Sequence, residues 1–210
     1  MKSNKHQLLL RSGPISSVDL PDGKRVDVSW FKDGDRKDLL AFYRDLPAED
    51  RLYLRSDVTN QAILDRLVDE LHEGIGVMIV CREGAAIIGE CTQHFIHHGW
   101  SRHVSELRHV VRREFEGHGL EEIMIKEHIE VANDLGLDKV IVRLLELQKE
   151  KQRILESLGF EREAVLRSHA TDLRGARHNM VIMSNYVAEL WRRMEDLMRK
   201  TDMPAETDAQ

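Results

Sequence analysis

Residues 110–129 read VVRREFEGHGLEEIMIKEHI and combine the end of an apolar strand, a tight turn with two glycines and the start of a helix. Gly117 and Gly119 allow the backbone of the turn to adopt left-handed dihedral angles and to approach a ligand closely. The first N–H groups of a helix have no partner within the helix, and the helix dipole favours negative charge beside them. The segment therefore predicts a site for an anion, such as a phosphate group.

The elements on either side of this turn indicate a mixed α/β domain with one core. A strand–helix–strand crossover within a mainly antiparallel sheet explains the order of the patterns. Residues 139–145, KVIVRLL, form the strand after the crossover helix, which Gly136 ends. The other expected elements are a hairpin through the turn at residues 21–23, helices within 36–74, two strands around the turn at 83–84, a third strand at 104–111, a helix that stops at Gly159, and a last hairpin around 172–175.

The chain divides into four expected segments. Residues 1–25 form an N-terminal arm and the first strand, with the arm loosely held up to residue 17, and residues 26–186 form the main domain. Residues 187–200 form an amphipathic helix, and residues 201–210 form a polar tail. The helix carries an apolar stripe that packs on the core or pairs with a second copy in a homodimer.

Composition excludes several classes of protein. The 210 residues carry a formal net charge of −6, which argues against a nucleic-acid partner because phosphate backbones require a basic surface. No apolar run is long enough to span a membrane, and we find no signal peptide, so we expect a cytoplasmic protein without membrane contact. Cys81 and Cys91 each lie in an apolar run and are expected as buried thiols rather than as a disulfide.

Several of these motifs resemble those of the GNAT superfamily of acyl-CoA-dependent N-acyltransferases. The resemblance rests on the strand end and glycine turn at 110–119, on Ala132 and Gly136 before KVIV, and on ESLGF at 156–160. The closing hairpin DLRGARHNMVIM at 172–183 is also similar. The resemblance implies a GNAT fold, that is, an α/β domain with a mixed, mostly antiparallel central sheet and flanking helices.

The resemblance also implies an activity and a cofactor. A GNAT enzyme transfers an acetyl group from acetyl-CoA to a primary amine, which belongs to a small molecule or to a protein. The strand end and turn would bind the cofactor, with the pyrophosphate on the backbone of the loop. The residues that match this role are Val110, Val111, Arg112, Arg113, Gly117, His118, Gly119, Leu120 and Glu121.

Three positions depart from the family pattern. Glu116 and Glu121 put two carboxylates beside the expected pyrophosphate, which opposes binding unless Arg112, Arg113 or His118 offsets their charge. Leu155 stands where the family commonly has a tyrosine acid, and a family asparagine is replaced by Gln148. A GNAT-fold protein that binds acyl-CoA as a sensor, or that acts through a partner without catalysis, is therefore an alternative to an enzyme.

Acyl transfer to an amine needs a base that removes a proton from the ammonium group. Glu106, on the strand before the loop, lies near the position of a carboxylate base in some family members. A histidine is the second candidate, and His109 is the one we select from a group that also contains His94 and His98. His94 and His98 would share one face of a strand, but the spacing of the histidines fits no zinc pattern, so we expect no metal.

Overall fold

The computed structural model describes residues 11–51, 54 and 57–187, which fold around one eight-stranded sheet. The strands are β1 (Pro14–Asp19), β2 (Arg25–Trp30), β3 (Gly76–Glu83), β4 (Ala86–Phe95), β5 (Val104–Val111), β6 (Lys139–Leu145), β7 (Glu161–Thr171) and β8 (Arg177–Tyr186). The helices are α1 (Arg36–Asp45), α2 (Ala48–Arg51), α3 (Gln61–His72), α4 (Leu120–Asp134) and α5 (Lys149–Ser157), with 3-10 turns at Asp33–Asp35 and Arg113–Phe115.

The sheet is mixed and mostly antiparallel. Its strands run in the order β1-β2-β3-β4-β5-β6-β8-β7, and every neighbouring pair is antiparallel except β5 and β6. Parallel neighbours need a crossover connection, and α4 supplies it. The α/β class and the sheet that the resemblance implied are both confirmed.

Strands β5 and β6 separate at a defined point. β5 pairs with β4 along its length to Val111, but it pairs with β6 only from Val104 to Leu107, which lies opposite Val142. The last four residues of β5 therefore have no hydrogen-bonded partner on the β6 side. A wedge opens between the two strands, and the residues on its walls come from β5, from the loop after it and from α5.

The core has one layer on each face of the sheet. On one face, α4 buries an apolar stripe that includes Leu120, Met124 and Ile125 against the sheet. On the other face, α1 and α3 cover the second layer. Successive side chains of a strand point to opposite faces. On β5, Leu107 therefore packs beneath α4, whereas Val110 packs in the layer of α1 and α3.

Local signals in the sequence set the ends of the helices. The side chain of Asn60 accepts a hydrogen bond from the N–H of Ala62 at 2.9 Å and so caps the start of α3. Gly136 has a φ of 65° just after α4, so the left-handed residue predicted at this helix end is confirmed. Cys81 and Cys91 are buried free thiols, as expected, and burial raises the pKa of Cys81 to about 12.

One prediction at the N-terminus was wrong. Residues 14–17 belong to β1 rather than to a loose arm, because they pair with β2 and Ile15 packs against the core. The amphipathic helix expected at 187–200 and the tail at 201–210 lie outside the described residues, apart from Val187. No helix in the described part of the chain has the length and apolar character needed to cross a membrane.

The contact between β3 and β4 leaves no room for a side chain at Gly76. A Cβ there would lie 2.7 Å from the carbonyl oxygen of Gln93 and 3.3 Å from Leu71 Cδ2. We predict that Gly76→Ala lowers the free energy of unfolding by about 1–3 kcal/mol, because the backbone of β4 must shift. Gly34→Ala is the control, since a Cβ at Gly34 meets nothing within 4 Å. Equal denaturation midpoints for the two variants would contradict this packing.

Candidate functional site

The turn before α4 has the backbone geometry of an anion site. Gly117 and Gly119 have φ values of 77° and 81°, in the left-handed region that favours glycine. The N–H of Ile123 donates to the carbonyl of Gly119 at 3.1 Å, so residues 120–122 precede the first hydrogen bond of the helical ladder. Their N–H groups are the ones that a helix N-terminus offers to an anion.

Glu121 lies in this first turn, but its side chain points into the protein. The residue is 3% exposed, and its Oε1 lies 3.2 Å from His109 Nε2 and 3.4 Å from Lys151 Nζ. Burial disfavours the carboxylate, but hydrogen bonding and charge from His109 and Lys151 outweigh that effect and lower the pKa of Glu121 to about 2. The charge of Glu121 is thus partnered within the protein by His109 and Lys151, whereas its effect on a bound pyrophosphate stays a prediction.

Glu116, unlike Glu121, keeps its carboxylate partly exposed at the turn. Its side chain is 42% exposed, and Oε1 lies 3.8 Å from Lys151 Nζ. Partial burial raises the pKa of Glu116, against the opposing effect of the Lys151 charge. Lys151 thus lies between two carboxylates and brings positive charge to the turn from α5. Sequence reasoning missed it because the contact depends on how α5 packs beside α4.

Arg112 and Arg113 contact carboxylates of the helices, and the charge of Arg113 still partly offsets that of Glu116. Arg112 Nη2 lies 3.1 Å from Asp45 Oδ2 at the end of α1. Arg113 forms a two-point contact with Asp50 on α2, with distances of 3.0 and 2.8 Å. Both arginines therefore connect the loop to the helices on the other face of the sheet. His118 is half-buried in the turn.

The wedge between β5 and β6 forms a cleft of about 440 Å³ beside the turn. Arg112 N donates to Ile88 O on β4 at 2.8 Å. Because successive N–H groups alternate along a strand, the N–H of Val111 points away from β4 and toward the wedge. Residues of both charges line the cleft: Asp50, His109, Val110, Val111, Arg113, Glu116, Leu147, Gln148, Lys149, Glu150, Lys151 and Arg153.

Two further clefts, of about 180 and 570 Å³, lie along the other face of β5. The smaller cleft adjoins the wedge, since Gln148 lines both. Glu106 is 20% exposed at its side chain, and its Oε2 lies 3.6 Å from Arg143 Nη2 on β6. The residues common to the two clefts are His94, Glu106, Arg108 and Arg143.

The two candidate bases lie on opposite faces of β5. Glu106 faces the clefts, whereas His109, three residues later, points beneath α4 and contacts Glu121. The side chain of His109 is 1% exposed. The structure therefore places the Glu106 side chain at the surface of the clefts, and it places the His109 side chain behind the turn.

A buried polar cluster supports the floor of these clefts, and sequence reasoning missed it. Glu90 is fully buried, accepts a hydrogen bond from Thr92 Oγ1 at 2.6 Å, and lies 3.9 Å from Arg108 Nε. Burial raises the pKa of the Glu90 carboxyl, while the charge of Arg108 lowers it. Burial also raises the pKa of Tyr43, which lies near both groups. A glutamate inside the apolar run at 86–91 was the available signal, because buried carboxylates need partners.

The position of the family's tyrosine acid is closed. Leu155 is fully buried in the core, where a hydrocarbon side chain donates no proton. Gln148 instead caps the loop, since its Oε1 accepts a hydrogen bond from the N–H of Leu145 at 2.9 Å. The site therefore contains no side-chain acid at either of these two positions.

The prediction that His94 and His98 lie on one face of a strand was wrong. β4 ends at Phe95, so His94 is its last histidine and His98 lies in the following loop rather than on the same strand face. His97 Nε2 lies 2.9 Å from the carbonyl oxygen of Gly74. Within the ranges that the structure describes, no three His, Cys, Asp or Glu side chains form a group that could hold a metal ion.

Comparison with known proteins identifies the class. Residues 25–161 match the model of the acetyltransferase (GNAT) domain, so the chain belongs to the GNAT acetyltransferase family, whose general activity is N-acetylation. No curated protein matches the sequence.

Solved structures share this fold at low sequence identity. An N-acetyltransferase from Staphylococcus aureus Mu50 has a TM-score of 0.66 at 12% identity, over 77% of this chain and 98% of that one. A ribosomal-protein-alanine N-acetyltransferase from Brucella melitensis gives 0.64 at 17% identity, over 76% and 98%. A protein of Salmonella typhimurium described as an acetyltransferase, with its cofactor acetyl-CoA, gives 0.65 at 15% identity, over 88% and 99%.

The environment of Glu121 predicts a pH dependence of stability. The pKa of this carboxyl falls from 4.5 to about 2 on folding, so the ionised group stabilises the fold above pH 4.5, and that contribution is lost as the pH falls toward 2. Between pH 4.5 and pH 2 the wild-type protein should lose about 3 kcal/mol of unfolding free energy through this group. We predict that Glu121→Gln does not show that loss. Urea titrations at a series of pH values measure it, with the exposed Glu130→Gln as control. Parallel curves for wild type and Glu121→Gln would contradict the ion pairing.

We expect the charge of Glu116 to weaken anion binding at the turn. Replacing it by glutamine removes a partly exposed negative charge and leaves Lys151 with one carboxylate neighbour fewer. We expect Glu116→Gln to bind acetyl-CoA severalfold more tightly in calorimetric titrations, while Glu130→Gln at the far end of α4 binds like wild type. Unchanged or weaker binding would mean that the Glu116 carboxylate faces away from the ligand.

Proposed function

We propose that this protein transfers an acetyl group from acetyl-CoA directly to a primary amine, within a complex that contains both substrates. The observation that carries the proposal is the continuity of the clefts. The wedge beside the glycine turn adjoins the cleft that contains Glu106, and Gln148 lines both. One substrate would enter from each side of β5 and meet where β5 and β6 separate.

The residues around the turn fit acetyl-CoA. The N–H groups at the start of α4 and the left-handed backbone of Gly117 and Gly119 suit a pyrophosphate. Lys149 and Lys151 bring positive charge to the same wall. Acetyl-CoA supplies the thioester whose acyl carbon the amine attacks.

Two groups of the chain assist the reaction in this proposal. Glu106 accepts a proton from the ammonium group of the acceptor, directly or through one water molecule, so that the nitrogen lone pair is free. The N–H of Val111 donates a hydrogen bond to the carbonyl oxygen as it gains negative charge. The C–N bond forms, the C–S bond breaks, and CoA leaves as a thiolate, which is stable enough near neutral pH to depart without the missing acid. The nitrogen loses its second proton as the amide forms, and the thiolate takes up a proton from solvent.

The acceptor is a small-molecule amine or a protein amine. The Brucella melitensis protein is named for a ribosomal-protein alanine, which makes the N-terminal amine of a polypeptide one candidate class. Binding of acyl-CoA without catalysis, as in a sensor, is the competing function, and the buried Leu155 favours it. Release of CoA in the presence of an amine separates the two functions, because a sensor binds acetyl-CoA without releasing CoA.

Loss of the base gives the direct test of this proposal. We predict that Glu106→Gln lowers kcat for CoA release by about 10²–10⁴-fold, because glutamine accepts no proton. Calorimetry should show unchanged affinity for acetyl-CoA, since Glu106 lies outside the wedge. Glu130→Gln, an exposed carboxylate on α4, should keep wild-type kcat. A Glu106→Gln variant with wild-type kcat would exclude Glu106 as the base.

A further inference from the structure

The clefts at Glu106 carry charges of both signs close together. Glu106 Oε2 lies 3.6 Å from Arg143 Nη2, and the two side chains are 20% and 44% exposed. Arg108 follows two residues after Glu106 on the same face of β5 and lines the same two clefts. Where the two clefts overlap, a ligand therefore meets the Glu106 carboxylate, two guanidinium groups and His94.

Arg108 is incompletely satisfied by the protein. Its carboxylate neighbour Glu90 lies 3.9 Å away, beyond hydrogen-bonding distance, and Glu90 already accepts a hydrogen bond from Thr92. Nε and Nη2 of Arg108 are buried and have no hydrogen-bond partner within the described residues. Glu90 Oε1, which faces Arg108 Nε at 3.9 Å, is itself without a hydrogen-bond partner among the described residues, so the charge of Arg108 is only loosely paired and adds to that of Arg143 in the clefts.

We propose that the acceptor is a zwitterion, a primary ammonium group with a carboxylate a short distance away in the same molecule. The ammonium binds Glu106, and the carboxylate binds Arg143 beside Arg108. This inference rests on the proposed function, since it uses Glu106 as the base. Two sources share this chemistry: a free amino acid, and a polypeptide whose N-terminal residue is acidic.

The Glu106–Arg143 pair explains why a zwitterion is preferred. A ligand with an ammonium group but no carboxylate must draw Glu106 away from Arg143. Arg143 is then left without that carboxylate partner. A zwitterion exchanges one ion pair for two, so no charge in the cleft loses its partner. The carboxylate of the acceptor also pairs with Arg143, so Arg143 competes less with the ammonium group for Glu106.

The sizes of the clefts suit a compact reacting end. The cleft beside the wedge has a volume of about 180 Å³, enough for a small amino acid but not for a bulky side chain. The adjoining cleft of about 570 Å³ extends past Glu70 and Arg66 on α3, where the remainder of a peptide would lie.

Binding measurements on the wild-type chain test the proposal first. For a free amino acid, the probes are β-alanine and 4-aminobutyrate, each compared with its carboxamide. For a polypeptide, a peptide amide that begins with Asp is compared with one that begins with Asn. Each is titrated against the protein and CoA with ligand-observed NMR. We expect at least one acid to bind about tenfold more tightly than its amide. Whether that acid is an amino acid or the Asp peptide identifies the source of the acceptor.

Variants at Arg143 then test the contact. Arg143→Gln should abolish the preference for the acid over the amide, and Arg143→Lys should keep most of it. Arg143→Glu should shift the preference to 1,4-diaminobutane, whose second charge has the opposite sign. Arg25→Gln is the matched control, because Arg25 is exposed on β2 and its ion pairs in the described part of the chain are with surface carboxylates, at 3.9 and 3.7 Å.

The outcomes separate this inference from the proposed function. Equal binding of every acid and its amide, or a preference that survives in Arg143→Glu, would overturn the zwitterion. Preferential binding of an acid without CoA release from acetyl-CoA would support the zwitterion proposal. That result would contradict only the proposed catalysis.

Discussion

The end of the parallel pairing between β5 and β6 is the constraint on which the rest of the site depends. Up to Leu107 and Val142 the two strands share hydrogen bonds, and beyond that point β5 stays with β4 alone. The separation exposes backbone N–H groups of β5 that a continuous sheet would use. It also leaves space between the strands for a ligand, with the glycine turn on one side and Glu106 on the other.

The turn itself is stabilised by charges from distant parts of the chain. Glu121 is buried at the start of α4, where His109 and Lys151 contact it, so its charge is partnered within the protein. Arg113 holds the loop to Asp50 on the opposite layer. These contacts fix the position of the helix N-terminus before any ligand binds, and a fixed binding group loses little entropy on association.

The fold was largely predictable because its signals are local. The two glycines of the turn, the alternation in the strands and Gly136 after α4 each specify a short segment, and their order specifies the crossover. The partners of the charged residues were not predictable. The contacts of Arg112 and Arg113 with α1 and α2 depend on how those helices pack, and the direction of Glu121 depends on a lysine thirty residues later. The choice between Glu106 and His109 needed the strand register, since neighbouring positions face opposite sides.

Binding of acetyl-CoA tests the central claim most directly, because both the enzyme and its mechanism require an occupied wedge. Calorimetric titration of the full chain with acetyl-CoA should show saturable binding of one molecule per chain. Gly119→Val should weaken that binding at least tenfold, since a β-branched residue does not tolerate the φ of 81° that the turn requires. No detectable heat at millimolar acetyl-CoA would contradict the account.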